Sequence, residues 1–91
     1  MSEYLRSLDL TIQFVDDLLN NRFSAAERSA VKKALELLDE NDRHPSLRVH
    51  RLSGDEAGSW TCYATAAIRI TFERLPEGHK RLLTLTRHYD R

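Results

Sequence analysis

The last five residues of the chain combine side chains that could carry out acid–base and phosphate chemistry. They are Arg87, His88, Tyr89, Asp90 and Arg91, and they follow an apolar run of leucines. The segment places a cation, a side chain that titrates near neutrality and a phenol next to one another. Such a set could stabilise a negative charge and transfer a proton at the end of a strand.

The two halves of the chain carry opposite charge, although the whole is formally neutral. Residues 1–43 contain six basic and nine acidic side chains, whereas residues 44–91 contain eight basic and five acidic ones. All four histidines also lie in the second half. We therefore expect the second half to form any surface that binds an anion.

Length and composition are typical of one small domain. With 91 residues, 41% hydrophobic and 31% charged, the chain can form a core without a disulfide or metal, so we expect a single domain over residues 1–91. It lacks a secretory signal pattern and any apolar stretch near the roughly 20 residues of a membrane span, so we expect a cytoplasmic protein without membrane contact. Cys62 alternates with apolar residues and is expected to be a buried structural thiol. No residue spacing is typical of a metal site or a phosphate-binding glycine loop, so no metal or cofactor is expected.

Sequence periodicity predicts two helices followed by a sheet. A strand near 4–11 precedes helical spacing near 12–20, although one longer helix through both stretches also fits. Ser24 and Glu27 form a capping box for a second helix, which ends before Asn41. Alternating patterns then predict four strands, near 46–52, 59–65, 67–75 and 80–88.

These elements predict an α+β fold in which a β-meander plus a short N-terminal strand forms a small antiparallel sheet, packed on one face by two helices. Strand parity assigns to the helix-covered face Leu47, Val49, Trp60, Cys62, Ala64, Ile68, Ile70, Phe72, Leu83 and Leu85. The opposite, polar face receives Arg48, His50, Ser59, Thr61, Tyr63, Arg69, Thr71, Glu73, Thr84, Thr86 and His88. Arg87 and Tyr89 have core parity, but they lie at the strand end, where the chain can twist out and bring them onto the polar face.

The polar face could bind a polyanion or could be an ordinary solvated surface. Arginines such as Arg69 bind phosphates through two parallel hydrogen bonds, and Tyr63 could stack a base. Glu73 is more simply interpreted as an ion-pair partner of Arg69 than as a catalytic carboxylate. Arg51 and Arg74 fall on the other parity near strand ends and are expected to be solvated.

The order and spacing of four short segments resemble a known family. The segments are 44–48 (HPSLR), 52–54 (LSG), 69–72 (RITF) and 87–89 (RHY). With the preceding strand and helices, they resemble the RelE/ParE superfamily of bacterial type II toxin–antitoxin toxins, most closely the RelE and YafQ-like messenger RNA interferases. The resemblance implies a metal-independent endoribonuclease that cleaves messenger RNA on the ribosome, inhibits translation and is held inactive by an antitoxin. DNA would be contacted only through the antitoxin complex.

The resemblance also implies roles for individual residues. Arg69 matches the arginine that contacts the scissile phosphate, while Arg48 and His50 match basic or acid–base positions of the first meander strand. The C-terminal catalytic cluster is matched by Arg87, His88 and Tyr89. Further RNA contacts on the polar face would come from Tyr63, Thr71 and Thr86.

Cleavage through a 2′-hydroxyl needs a base, a cation beside the phosphorane and an acid for the leaving oxygen. We expect Arg69, helped by Arg48 or Arg87, to provide the positive charge. Because the 2′-hydroxyl is the nucleophile, DNA should not be cut. The sequence pI of about 6.9 implies weak long-range attraction to RNA.

Proton transfer is expected to be shared by His88 with Tyr89 or His50.

Two other functions stay open. A ParE-like inhibitor of DNA gyrase would share the fold but lack a full acid–base set, so His88 and Tyr89 favour the ribonuclease. A non-catalytic module that only binds an antitoxin is the second alternative.

Overall fold

The fold is a five-stranded mixed sheet with two helices, described here by a computed structural model for residues 6–54 and 58–87. The elements in chain order are β1 (Leu8–Leu10), α1 (Ile12–Asn20), α2 (Ala25–Glu40), β2 (His50–Arg51), β3 (Trp60–Tyr63), β4 (Ile68–Arg74) and β5 (Lys80–Arg87). The strand order is β1-β5-β4-β3-β2. Strands β2 to β5 form the predicted antiparallel meander, and β1 adds to β5 in parallel. The predicted α+β class is confirmed, whereas the expectation of a wholly antiparallel sheet is wrong at β1.

Both helices begin at side-chain caps that the local sequence encodes. The Thr11 hydroxyl accepts a hydrogen bond from the Phe14 N–H at the start of α1, so a strand followed by a helix is correct and the single long helix is wrong. At α2, the Ser24 hydroxyl accepts from the Glu27 N–H at 3.1 Å, and the Glu27 carboxylate accepts from the Ser24 N–H at 2.8 Å. The predicted capping box is confirmed, and α2 ends before Asn41 as expected.

The core lies between α2 and the central strands. Its fully buried side chains come from both helices, from the 3-10 turn at residues 45–47 and from β3, β4 and β5: Phe14, Val31, Leu38, Leu47, Cys62, Ile68, Ile70, Phe72, Leu82 and Leu85. Burial raises the pKa of the Cys62 thiol to about 12, so it is not a thiolate at neutral pH. The expectation of a buried structural thiol is confirmed.

A β-bulge in β5 changes which leucines face the core. Thr71 pairs with Thr84 but the next residue, Phe72, pairs with Leu82, so Leu83 is an extra residue in β5. As a result Leu82 and Leu85 are buried, and the assignment of Leu83 to the core face by strict alternation is wrong.

The strand predicted near 46–52 is mostly wrong. Residues Pro45–Leu47 form one turn of 3-10 helix, and Arg48 follows in the left-handed region with a φ of 51°. Only His50 and Arg51 pair with β3. Local turn chemistry after His44 therefore prevails over the alternating pattern, although Leu47 still reaches the core.

Helix α1 satisfies the part of the β5 edge that β1 leaves uncovered. Three polar side chains of the α1 region bond to the β5 backbone. The Thr11 hydroxyl donates to the Leu82 carbonyl at 2.8 Å, and the Asn21 amide donates to the Leu85 carbonyl at 3.1 Å. The Asp17 carboxylate accepts from the Leu85 N–H at 2.9 Å. Sheet edges need such partners because unpaired backbone groups are costly.

Replacing Asp17 with alanine is expected to lower the free energy of unfolding by about 1–2 kcal/mol, since the Leu85 N–H loses its acceptor. Urea denaturation followed by circular dichroism would measure the change. The control is Asp16→Ala, because Asp16 is exposed on the same helix and the two substitutions change charge and helix propensity alike. Equal stabilities of the two variants would contradict the edge role.

A buried lysine joins β5 to β1 and to the end of α2. The Lys80 ammonium lies 3.2 Å from the Ser7 hydroxyl and 3.9 Å from the Asp42 carboxylate. Ser7 in turn donates to Asp39 through its N–H at 2.7 Å and its hydroxyl at 2.6 Å. Burial acts to raise the pKa of the Asp39 carboxyl, but these hydrogen bonds outweigh burial and hold the pKa below its ordinary value.

One apolar stripe of α1 points away from the core. Ile12 is 82% exposed and Leu19 73% exposed, with Val15 between them and Leu10 of β1 beside them at 59%. These four residues are called the α1 stripe below. Large side chains exposed in a row are unusual on an isolated domain and typical of an interaction surface. Within the described residues, no helix is both long and apolar enough to cross a membrane.

Candidate functional site

The candidate site lies on the sheet face that the helices leave uncovered. Cross-strand pairing places His50, Thr61, Thr71 and Thr84 in one row across the sheet. A second row consists of Tyr63, Arg69 and Thr86. The predicted polar face therefore brings together five of the predicted site residues: His50, Tyr63, Arg69, Thr71 and Thr86.

Arg69 is the centre of this face. It lies on β4 between Tyr63 and Thr86, and its guanidinium carbon lies 5.6 Å from the centroid of the Tyr63 ring. Its Nε is buried and has no hydrogen-bond partner within the described residues. An unsatisfied buried N–H is costly in a folded protein, and an anionic ligand would satisfy it.

His50 presents one ring nitrogen that is free to act as a base. Its Nδ1 lies 2.8 Å from the carbonyl oxygen of Arg48. A carbonyl oxygen can only accept, so Nδ1 carries the hydrogen and Nε2 of the neutral ring keeps its lone pair. The ring also stacks on Tyr63 at a centroid distance of 6.0 Å and an interplanar angle of 27°. Two contacts thus orient the imidazole.

Arg48 reaches the same face from an unusual backbone conformation. A left-handed residue other than glycine costs about 1–3 kcal/mol when surrounding structure holds it, and such residues cluster at functional sites. The conformation turns the chain from the 3-10 turn into β2.

Arg48 lines a cleft of about 390 Å³ with Tyr63, Arg69, Ser46 and Thr65. We call this the Arg69 cleft. Sequence analysis did not single out its two hydroxyl residues, Ser46 and Thr65.

Arg87 does not join this face. Its guanidinium donates to the Glu27 carboxylate at 2.6 Å and to the Asn21 carbonyl at 3.2 Å, and it stacks on Phe23 at 4.9 Å. The backbone N–H of Ser24 lowers the pKa of the Glu27 carboxyl; burial opposes this shift, and Arg87 adds to it. Arg87 thus keeps core parity and does not twist out onto the polar face. Its catalytic role stays a prediction.

Three other expectations for the polar face have different outcomes. His88 and Tyr89 lie outside the described residues, so their catalytic roles stay predictions. Thr61 is buried, and its hydroxyl donates to the Ile70 carbonyl at 3.2 Å. Glu73 pairs with Arg81 on β5 at 2.6 Å, and so the predicted ion pair with Arg69 is not formed.

Comparison with known proteins places this arrangement in a known fold. No protein-family model and no curated protein sequence matches the chain. Among solved structures, the YoeB/ParE toxin from Agrobacterium tumefaciens matches with a TM-score of 0.72 at 21% identity, over 91% of this chain and 99% of that chain. YafQ from E. coli BL21(DE3) matches with a TM-score of 0.71 at 17% identity, over 88% and 90%. The chain has the RelE/ParE toxin fold.

A toxin–antitoxin complex is also among the similar structures. RelBE2 from Mycobacterium tuberculosis matches with a TM-score of 0.71 at 14% identity, over 90% of this chain and 96% of that chain.

In the RelE/ParE toxin fold of this chain, the uncovered sheet face offers two guanidinium groups, an imidazole and a phenol. Within the described residues, no group of three or more histidine, cysteine or acidic side chains is placed to hold a metal ion. The arrangement is suited to binding a phosphate and accepting a proton.

Proposed function

We propose that this chain is the toxin of a type II toxin–antitoxin pair and acts in the cytoplasm as an endoribonuclease on messenger RNA, on the ribosome. The observation that carries the proposal is the buried Arg69 Nε, which has no hydrogen-bond partner within the described residues, on the same uncovered sheet face as the oriented imidazole of His50. Both Arg69 and His50 contact the Tyr63 ring. A phosphate oxygen of bound RNA would accept a hydrogen bond from the Arg69 Nε–H. The His50 imidazole, which contacts the same Tyr63 ring as Arg69, would then be the base for the bound RNA.

The proposed reaction is an attack of the ribose 2′-oxygen on the adjacent phosphorus. His50 Nε2 removes the 2′-hydroxyl proton as the P–O2′ bond forms. Arg69, with Arg48 at the cleft rim, stabilises the charge on the pentacoordinate phosphorus. The P–O5′ bond then breaks, and His88 or Tyr89 gives a proton to the leaving oxygen. The products are a 2′,3′-cyclic phosphate and a 5′-hydroxyl end, so DNA cannot be a substrate.

The proposal can be tested in a cell-free translation reaction, with primer extension on the translated messenger RNA. We expect new ends inside translated codons, with a 5′-hydroxyl on the downstream fragment. Intact messenger RNA together with inhibited gyrase supercoiling would support the ParE-like alternative instead. Intact messenger RNA and normal supercoiling would leave the non-catalytic, antitoxin-binding module.

We propose that the antitoxin partner covers the α1 stripe with an amphipathic helix flanked by basic residues. The stripe offers apolar side chains at helical spacing, which is how a helix docks onto a partner helix. The charge of α1 favours a cationic partner, because this helix contains Asp16 and Asp17 and no lysine or arginine. The same negative charge of α1 disfavours a second copy of this chain.

The stripe can be tested with the product of a short reading frame adjacent to the gene as the probe. The double variant Val15→Ser/Leu19→Ser is expected to bind the probe protein about 10²-fold more weakly in calorimetry, because two apolar side chains of the stripe are lost. The matched control, Gln13→Ser/Asn20→Ser, changes exposed polar residues of the same helix. Unchanged affinity of the stripe variant would place the antitoxin elsewhere.

A further inference from the structure

A second cleft lies next to the Arg69 cleft, at the β2 edge of the sheet. It is larger, about 670 Å³, and the proposed catalytic steps use none of its lining residues except Arg48. Its lining includes one tryptophan and several basic side chains, namely Arg43, His44, Arg48, Trp60 and Arg74. We call this the Trp60 cleft.

Two arginines in this region are held on the ring of Trp60. The guanidinium carbon of Arg74 lies 4.3 Å from the ring centroid, and that of Arg51 lies 5.6 Å from it. The prediction that both arginines are solvated is confirmed, because both are exposed. Arg51 is the register partner of Trp60 on β2, Phe72 is its partner on β4, and Arg74 lies two residues after Phe72. All four share one face. Contact with the ring orders the guanidinium groups and so lowers the entropy cost of binding an anion.

The charge of the Trp60 cleft is positive. Asp42 is its one carboxylate within the described residues, and Asp42 pairs with Arg74 at 2.6 Å. Burial acts to raise the pKa of the Asp42 carboxyl, but Arg74 and Lys80 outweigh it and hold the pKa below its ordinary value. Asp42 therefore offsets Arg74, while Arg43 and Arg48 lack a carboxylate partner within the described residues.

Arg48 lines both clefts, so the two form one continuous cationic path around the β2 edge. We propose that the Trp60 cleft binds the phosphate backbone of the same RNA strand, away from the cleaved step. This inference rests on the proposed ribonuclease function. A site of this kind recognises the charge of the phosphates and not the identity of the bases. It would therefore fix the position of the RNA strand on the protein without adding sequence preference. Local attraction here would offset the lack of net positive charge on the chain.

The chain provides its own reporter for this test, because Trp60 is the single tryptophan. The probe is a 2′-O-methyl RNA oligonucleotide, which cannot be cleaved because it lacks the nucleophile. We expect the fluorescence of Trp60 to change on titration. The variant Arg43→Ala/Arg51→Ala should bind the oligonucleotide about tenfold more weakly, and the slope of log affinity against log salt should fall by about 2. Both side chains are exposed, so the fold should tolerate their loss.

The control variant Arg22→Ala/Lys32→Ala removes two exposed cations outside both clefts and should keep full affinity. No binding of the probe at low salt, or equal binding by the two double variants, would overturn the inference. Loss of affinity for the candidate antitoxin but not for RNA would also overturn it, because the cleft would then receive an acidic protein segment. Messenger RNA cleavage in the cell-free translation reaction is scored separately, so failure of the Trp60 cleft leaves the proposed ribonuclease standing.

Discussion

Replacing Arg69 with alanine is expected to slow RNA cleavage by about 10² to 10³-fold and to abolish growth inhibition. Arg69 is the central cation of the polar face, and its buried Nε has no partner within the described residues. Removal of a preorganised donor that stabilises charge in the transition state has an effect of this size. The rate is measured by primer extension on translated messenger RNA at fixed protein concentration.

Two further variants separate this role from a general loss of charge. Arg81→Ala removes an exposed cation of the neighbouring strand, which pairs with Glu73, and should cleave at nearly the normal rate. Arg69→Lys keeps the charge but cannot make two parallel hydrogen bonds, so an intermediate rate is expected. Undiminished cleavage by the Arg69→Ala variant would remove Arg69 from the mechanism. Thermal unfolding of each variant shows whether the fold is intact.

Replacing His50 with alanine is expected to slow cleavage by about 10² to 10⁴-fold, the usual contribution of a general base. The hydrogen bond from Nδ1 to the Arg48 carbonyl and the stacking on Tyr63 hold Nε2 ready to accept a proton. The matched control is His79→Ala, because His79 lies 3.7 Å from the Asp9 carboxylate, away from this cluster. That variant should cleave normally.

Comparison of His50→Ala with His88→Ala assigns the proton steps. If both variants are slow, the two imidazoles act as base and acid. If His50→Ala cleaves at the normal rate and His88→Ala does not, the base is the C-terminal histidine, and the role proposed for His50 is refuted. Single-turnover rates are needed, because product release can hide a change in the chemical step.

Much of the fold was predictable because the relevant interactions are local. The α2 capping box uses side chains three residues apart, and helical or alternating periods follow from which residues must be buried. These signals predicted both helices, the meander and the polar sheet face with His50, Tyr63 and Arg69. What they missed depends on contacts between distant residues. The bulge at Leu83 is visible only in the pairing of β4 with β5.

The sequence by itself determined the class of the fold and the residue types of the polar face, since hydrophobic periodicity and capping act within a few residues. Only the tertiary structure decided how individual cations are used. Arg87 meets Glu27, which is 60 residues away, and is held on the helix side, while Arg51 and Arg74 meet on Trp60. The exposure of the α1 stripe is likewise a tertiary feature. The polar side chains of the α1 region bond to the β5 edge, and the apolar stripe is left exposed. The partner of each cation depends on which distant residues lie close to it in the fold, and local sequence patterns do not encode those distances.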